Sequence, residues 1–513
     1  MRISAIAFII AFLGVAGCAS LPRHVARTRT VAIEYPSGTR FGRLVEASAG
    51  SDAAPRAAAN TSELSGIRLL ASGEEALQSL IALADRAERT LDIQYYIIEQ
   101  DESARLLLRH VSAAADRGVR VRILVDDLNT SGEDRRFLRL GRNPHIEVRL
   151  FNPFAGGRLA LWTRFLFALH DIPRINHRMH NKLFVADNAL AITGGRNIGD
   201  QYFVRDDQSN FIDLDVIAAG SVVPRLSDSF DAFWNSRYAY PIGSLTQEPG
   251  DAPKARNAAP AAPADGSDWL ARSLDAGNLP LEWITATVLA DRPAKIASDS
   301  TGKAAETIAD NIASLMRSAT QEVIIISAYF VPGDDGMALM KELAQRGVRI
   351  RILTNSLAST DSPLVYNGYS RYRKPLLQLG AELNEVRPRL GEARPRFHPF
   401  RRSLASLHAK ALVIDQTTVF IGSLNMDERS RRTNSELGLV IRSPTIAHQV
   451  SSLFDDISAD GSYQLRLAEP GAKLEWHSVE GGGERVWHSD PLSNPMQRFW
   501  RHLLAPFAPE EML

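Results

Sequence analysis

Two unrelated strings in this chain recur at almost the same distance. Arg117-Gly118-Val119-Arg120-Val121-Arg122-Ile123-Leu124 returns as Arg346-Gly347-Val348-Arg349-Ile350-Arg351-Ile352-Leu353, an offset of 229. His180-Asn181-Lys182 returns as His408-Ala409-Lys410, an offset of 228. Agreement between independent strings marks a duplicated domain. The length of 513 residues suggests about three domains by itself, and the repeat replaces that with two copies of one unit.

Each copy alternates strand and helix patterns. In the first, residues 90–98, 119–125, 146–151, 182–185, 189–193 and 213–218 read as strands, with helices over 101–116 and 223–234. In the second, strands are expected over 323–330, 348–354, 411–414, 418–421 and 436–441, with helices over 337–345 and 364–379. Strand–helix–strand units of this kind predict an α/β fold, with helices packed on a mixed sheet in each copy. The copies are expected to pair about a pseudo-twofold axis, bringing equivalent loops together. Residues 66–246 and 276–470 are the two expected domains. Residues 18–65 are read as an anchor and linker, 247–275 as an Ala/Pro-rich linker, and 471–513 as a C-terminal hairpin and amphipathic helix.

The N-terminus has its own signature. Met1-Arg2 is a short positive start, residues 3–15 are almost wholly apolar, and Val15-Ala16-Gly17-Cys18 follows. That is the layout of a signal peptide over 1–17, and the run is short for a spanning helix. The string resembles the bacterial lipoprotein signal, in which the cysteine is acylated and opens the mature chain. An uncleaved signal anchor and an ordinary secretion signal are the other readings. As the one cysteine, Cys18 has no disulfide partner within the chain. The expectation is a membrane-associated, periplasm-facing protein with Cys18 as its lipidation site. Ala19 favours the outer membrane over the inner by resemblance to enterobacterial sorting.

The recurring histidine opens the chemistry. His180, Lys182 and Asp187 form His-x-Lys-x4-Asp, followed by Gly194-Gly195-Arg196-Asn197; His408, Lys410 and Asp415 repeat it, followed by Gly422-Ser423-Leu424-Asn425. One such match is weak; two at repeat-equivalent positions are not coincidence. His and Lys two apart on a strand face the same way, so both reach one phosphate. Two half-sites meeting at an interface would set two imidazoles about one phosphorus, one to attack and one to protonate the leaving oxygen. Lys182, Lys410, Asn197 and Asn425 would stabilise the phosphoryl oxygens. A carboxylate on each histidine's far nitrogen would fix its tautomer, and Asp213 and Glu436 are the candidates, with Asp215 an alternative to Asp213. Asp187 and Asp415, grouped with the motif as catalytic residues, lie far enough along the strand that holding a turn is their better role. Lys in the third motif position, and no His/Cys pair at ligand spacing, argue against a metal site.

The doubled pattern resembles the phospholipase D superfamily. Several strings resemble its cardiolipin synthases of the C type: Leu91-Asp92-Ile93-Gln94-Tyr95-Tyr96, Arg149-Leu150-Phe151-Asn152-Pro153-Phe154, Arg178-Met179-His180-Asn181-Lys182, Gly194-Gly195-Arg196-Asn197-Ile198-Gly199-Asp200 and Leu353-Thr354-Asn355-Ser356-Leu357-Ala358. Gly195 departs from the Ser or Thr common in that superfamily. The resemblance implies a phosphohistidine intermediate without metal or other cofactor. It also implies transfer of a phosphatidyl group to phosphatidylglycerol, with phosphatidylethanolamine a possible donor. His180 would be the nucleophile and His408 the general acid and base, although the near-symmetry of the motifs leaves the exchange open. A hydrolytic phospholipase D or phosphodiesterase is the alternative in mechanism; a non-catalytic envelope lipid-binding protein is the alternative in class. Equal numbers of basic and acidic residues, 59 of each, argue against a nucleic-acid partner.

Phospholipid substrates and a membrane surface are thus the expected partners. Two apolar stretches read either as lipid-facing or as core: residues 159–169, and the i, i+3, i+4 series Met496, Phe499, Trp500, Leu503, Leu504. The run 369–374 reads as a headgroup cradle or a solvated helix face.

Overall fold

The computed structural model describes residues 20–51, 64–246, 268–296, 306–390, 403–468, 473–480 and 483–493. Cys18, residues 52–63, most of the linker 247–275 and the amphipathic stretch 496–504 lie outside the described residues. The strands in chain order are β1 (Ser65–Leu70), β2 (Thr90–Tyr95), β3 (Arg120–Asp126), β4 (Ile146–Phe151), β5 (Leu183–Ala186), β6 (Leu190–Gly194), β7 (Ser209–Ile212), β8 (Asp215–Gly220), β9 (Ala239–Pro241) and β10 (Glu282–Ile284). They continue with β11 (Ala286–Ala290), β12 (Glu322–Ser327), β13 (Arg349–Asn355), β14 (Glu382–Val386), β15 (Leu404–Leu407), β16 (Lys410–Ile414), β17 (Thr418–Gly422), β18 (Leu437–Arg442), β19 (Ser462–Ala468), β20 (Lys473–Glu480) and β21 (Gly483–Trp487).

The duplication is visible in strand order. One sheet runs β10-β1-β8-β6-β5-β2-β3-β4-β9 and the other β11-β18-β17-β16-β12-β13-β14-β19-β20-β21. Removing β10 from one edge and β20-β21 from the other leaves the same sequence of strands. β2, β3 and β4 pair in parallel, as do β12, β13 and β14. Parallel neighbours need a crossover, and the helices Glu102–Asp116 and Gly333–Gln345 supply equivalent ones. β3 and β13, at equivalent places in the two sheets, carry the recurring strings Val121-Arg122-Ile123-Leu124 and Ile350-Arg351-Ile352-Leu353.

The structure redraws several boundaries. β10 lies within the expected second domain yet pairs with β1, and β11 pairs with β18, so the chain passes between sheets at Thr285. The helix Trp269–Ala276 buries Leu270 and Leu274 in the first copy's core, so the end of the expected linker is structured. Residues 18–65 are also more than an anchor. Arg122 and Arg149 donate to the carbonyls of Thr30 and Thr28 at 2.9 and 2.6 Å, and the helix Arg40–Ser51 buries Phe41 in that same core. The expected helix over 364–379 is two, Pro363–Ser370 and Arg373–Gln378. Pro375 has no N–H and its ring would clash with the carbonyl four residues back, which breaks the run. Of its charged residues Arg371 and Lys374 are exposed, whereas Arg373 is buried against Glu385 at 2.8 Å and Asp490 at 3.1 Å.

The copies share one interface core. Leu183, Val185 and Val216 of the first cluster with Ile324, Leu437 and Leu439 of the second. β7 pairs in parallel with β15, bringing Ile212 opposite Leu407. Four-residue strands whose partners lie about 195 residues away leave no period to read; sequence reasoning had neither.

Asp187 and Asp415 occupy equivalent turns, at the ends of β5 and β16 remote from the histidines. Asp187 and Asn188 have φ of 52° and 50°, Asp415 and Gln416 48° and 53°, the left-handed pair of a tight hairpin turn. The Asp187 carboxylate accepts from the amides of Glu88, Arg89 and Thr90 at 2.7 to 2.9 Å. Asp415 does the same for Thr320, Gln321 and Glu322 at 2.8 to 2.9 Å. The motif aspartates therefore tie each hairpin to the start of the central strand, away from the histidines with which the motif groups them. Asp187→Ala is expected to cost about 2–3 kcal/mol in chemical unfolding, while the folded fraction keeps its turnover within a few-fold.

Candidate active site

His180 and His408 sit just before β5 and β16, where the two sheets meet. The N–H of His180 donates to the carbonyl of Ser435 at 2.9 Å, and that of His408 to Ile212 at 2.8 Å. Each histidine's backbone is thus held by the opposite copy, one residue before that copy's carboxylate. The side chains complete the exchange. His180 Nδ1 lies 2.9 Å from Glu436 Oε2, and His408 Nδ1 lies 2.5 Å from Asp213 Oδ2. Both carboxylates were named from sequence; their exchange between copies was not. Asp215 points elsewhere, pairing with Arg196 at 3.1 Å.

The lysines complete the cluster. Lys182 and Lys410 are buried; Lys182 Nζ donates to the His180 carbonyl at 2.7 Å and Lys410 Nζ to that of His408. Lys410 Nζ also lies 2.9 Å from His408 Nδ1. Both are donors when Nδ1 carries the proton that Asp213 accepts, so the Asp213 bond decides the tautomer. Burial lowers the proton affinity of His180 well below the usual range, and Lys182, Lys410 and His408 push it further down. Interactions of that reach put both imidazoles and both lysines in one site, where burial lowers the lysines' proton affinity and Glu436 and Asp213 raise it, a cluster of donors suited to a phosphodiester.

The carboxylates differ. Burial raises Asp213, but His408, Lys410 and Arg196 overcome it and hold the group down at about 2. Burial dominates at Glu436, raising it to about 7 against Lys182 and Ser423. Gly195 belongs to the same asymmetry. Ser423 stands at the equivalent place, donating its hydroxyl to Glu436 and accepting from the Leu437 amide at 3.0 Å. In the first copy Asp213 Oδ1 takes over that second bond, accepting from Leu214 at 2.8 Å. A Cβ on Gly195 would lie 2.0 Å from that oxygen. The missing hydroxyl is therefore replaced by the shorter acid beside it.

The asparagines are placed unequally. Asn197 donates to the Tyr202 hydroxyl at 2.9 Å and accepts from the Ile97 amide at 3.2 Å, leaving one amide hydrogen for substrate. Asn425 is buried, and its Oδ1 has no hydrogen-bond partner. Three aromatic walls escaped sequence reasoning. The ring of Tyr96 meets His180 edge-on at 5.0 Å, and Tyr202 and Phe211 meet His408 at 5.1 and 5.0 Å. Tyr202, five residues beyond Asn197, was the one with a usable signal. Among the described residues no group of three or more His, Cys, Asp or Glu converges as a metal site.

With this geometry in hand, comparison with known proteins decides the family. The family described as "Cardiolipin synthase, PLD-like domain" matches residues 80–234 and 312–458, one stretch per copy. The chain belongs to this family. It is 38% identical over 458 residues to cardiolipin synthase C of Escherichia coli (strain K12), spanning 86% of this chain and 94% of that one. It is 26% identical to cardiolipin synthase A of Pseudomonas fluorescens, over 82% of this chain and 73% of the relative. Its fold is similar to the crystal structure of phosphatidylserine synthase from Haemophilus influenzae Rd KW20, with a TM-score of 0.56 at 15% identity, covering 92% of this chain and all of that one. Both family-matched stretches contain their own histidine and the carboxylate of the other.

The Asp/Gly and Glu/Ser pairs are predicted to be matched units. Gly195→Ser alone should displace Asp213 from His408 and lower kcat by at least tenfold. Adding Asp213→Glu, which reproduces the second copy's pair, should recover most of that loss in steady-state assays.

Proposed function

We propose that the protein is a phosphatidyltransferase of the cardiolipin synthase type, using His180 as nucleophile and His408 as general acid and base. The observation that carries this reading is the pair of histidines, each on a carboxylate of the other copy, within a chain of the cardiolipin synthase family. Asp213 stays ionised at neutral pH and, against the lowering effect of burial and Lys410, favours the His408 imidazolium, the form that protonates a leaving alcohol. His180, with its proton affinity pushed far down, is neutral, and Nδ1–H donation to Glu436 leaves Nε2 free to attack.

In the first half-reaction His180 Nε2 forms a bond to the donor lipid's phosphorus. The bond to the headgroup oxygen breaks, and that oxygen takes the proton from His408. In the second, His408 recovers a proton from the primary hydroxyl of phosphatidylglycerol, whose oxygen attacks phosphorus and expels His180. One phosphodiester replaces another, so the reaction needs no external energy source. Lys182, Lys410 and the free amide hydrogens of Asn197 and Asn425 would turn toward the non-bridging oxygens as negative charge builds there. The acylated Cys18 would hold this site at a periplasm-facing membrane surface, the outer membrane by the Ala19 rule, where both lipid substrates reside. Phosphatidylethanolamine is a candidate donor.

Labelled phosphatidylglycerol, supplied with and without phosphatidylethanolamine, should yield labelled cardiolipin. Phosphatidic acid without cardiolipin would instead make the enzyme a hydrolase, with water taking the place of the acceptor. Alkali-stable, acid-labile label on the protein should appear in the wild type and be absent from His180→Ala. Asp213→Asn should also shift the pH profile. Burial and Lys410 lower the proton affinity of His408, Asp213 raises it part of the way back, and the acid role is lost as pH rises through the resulting value. Without the carboxylate, the fall in kcat toward alkaline pH should therefore begin at lower pH.

A further inference from the structure

The segment joining β4 to His180 has an inverted burial pattern. A surface helix docked on a soluble core turns its apolar side inward. In Leu161–Phe167 the arginine is inside: Arg164 is fully buried, donating to the Asp127 carbonyl and, at 3.1 Å, to Thr130 Oγ1. The large apolar side chains are outside. Leu159 is 89% exposed, Trp162 70% and Leu169 59%, with Leu161, Phe165 and Ile172 also exposed. Nearby charge is neutralised within the protein, Asp171 pairing with Arg174 at 2.6 Å. Arg174 in turn donates to Asn152 Oδ1 and the Pro153 carbonyl at 2.5 and 3.1 Å. These bonds hold the apolar face outward on a fixed support.

That face adjoins the site. The short helix Ile172–Asn176 ends four residues before His180. Arg429 of the second copy donates to Asn176 Oδ1 and to its carbonyl, both at 3.2 Å, and its charge acts on His180. The second copy exposes Leu364 at the start of its own helix, three residues after Asp361. Asp361 accepts from the Tyr329 hydroxyl at 2.8 Å and acts electrostatically on His408 and Lys410.

We propose that residues 159–172 form an interfacial element that inserts into the phospholipid bilayer and sets the shared site against the headgroups. The occupant is a bilayer rather than another protein because of the chemistry of the face. It combines exposed Leu, Phe and Ile with one Trp and inward-turned charges, which suits the boundary between headgroups and acyl chains. It also borders a site whose proposed substrates carry their scissile phosphates at that depth. The inference deepens the proposed function and rests on its lipid substrates. It differs from the Cys18 anchor, which tethers the chain without orienting the site.

The test uses the full chain in two ways. On vesicles of phosphatidylglycerol and phosphatidylcholine with brominated acyl chains, wild-type tryptophan fluorescence should be quenched more strongly than that of Trp162→Phe. The difference between them, Trp162's own emission, should fall by more than half. In turnover, Trp162→Ser with Phe165→Ser should lose at least tenfold on vesicles and less than twofold on short-chain phosphatidylglycerol dissolved below its micelle concentration. Equal losses on both substrates, no loss on vesicles, or unquenched Trp162 would overturn the inference. So would a double variant that turns a sedimenting dimer into a monomer with vesicle turnover intact, which would assign the face to a second copy. Quenched Trp162 with no cardiolipin from the wild type in either assay would leave the docking face standing and sink the functional reading instead.

Discussion

The structure turns on a reciprocal exchange at the interface between the copies. Each histidine receives its backbone partner and its carboxylate from the other half: Ser435 and Glu436 for His180, Ile212 and Asp213 for His408. A single copy would leave each imidazole free to adopt either tautomer and each acid without its histidine. Pairing the halves satisfies these groups together, so the interface that buries Leu183, Ile324 and Leu439 also completes the catalytic pairs.

Near-symmetry in the scaffold supports asymmetry in the chemistry. Equivalent strands carry Asp213 beside Gly195 and Glu436 beside Ser423. The shorter acid reaches its histidine from a position where a side chain on residue 195 would collide, and three cations hold it ionised. The longer acid shares its charge with a serine hydroxyl and is raised to about 7. Two imidazoles in otherwise similar surroundings are thereby separated in proton affinity, which is what division into nucleophile and acid requires. A strictly symmetric duplication would have left the histidines equivalent.

Much of this was legible from residues alone. The offsets of the repeat announced two copies, and His180, Lys182, His408 and Lys410 were identifiable because duplication multiplies a weak motif into a strong one. Asp213 and Glu436 were recoverable because an imidazole needs a tautomer-fixing partner and each lay on the following strand. Asp187 and Asp415 were less transparent. Their distance along the strand already favoured a turn-holding role, but which amides each carboxylate accepts from, those of residues 88–90 and 320–322, was not readable. The aromatic walls Tyr96, Tyr202 and Phe211 carried no periodic signal, and the β7–β15 pair joined segments too short and too distant to connect.

The sequence by itself determined the duplication, the α/β class and the residue types that can bind and transfer a phosphoryl group, since periodicity and side-chain chemistry are local properties. Only the tertiary structure decided which acid serves which histidine, which amides the motif aspartates clamp, and that residues 159–172 turn apolar side chains to the outside. Those are questions of direction. A string states which side chains are available, whereas the packing of two sheets decides where each one points and which partner it meets.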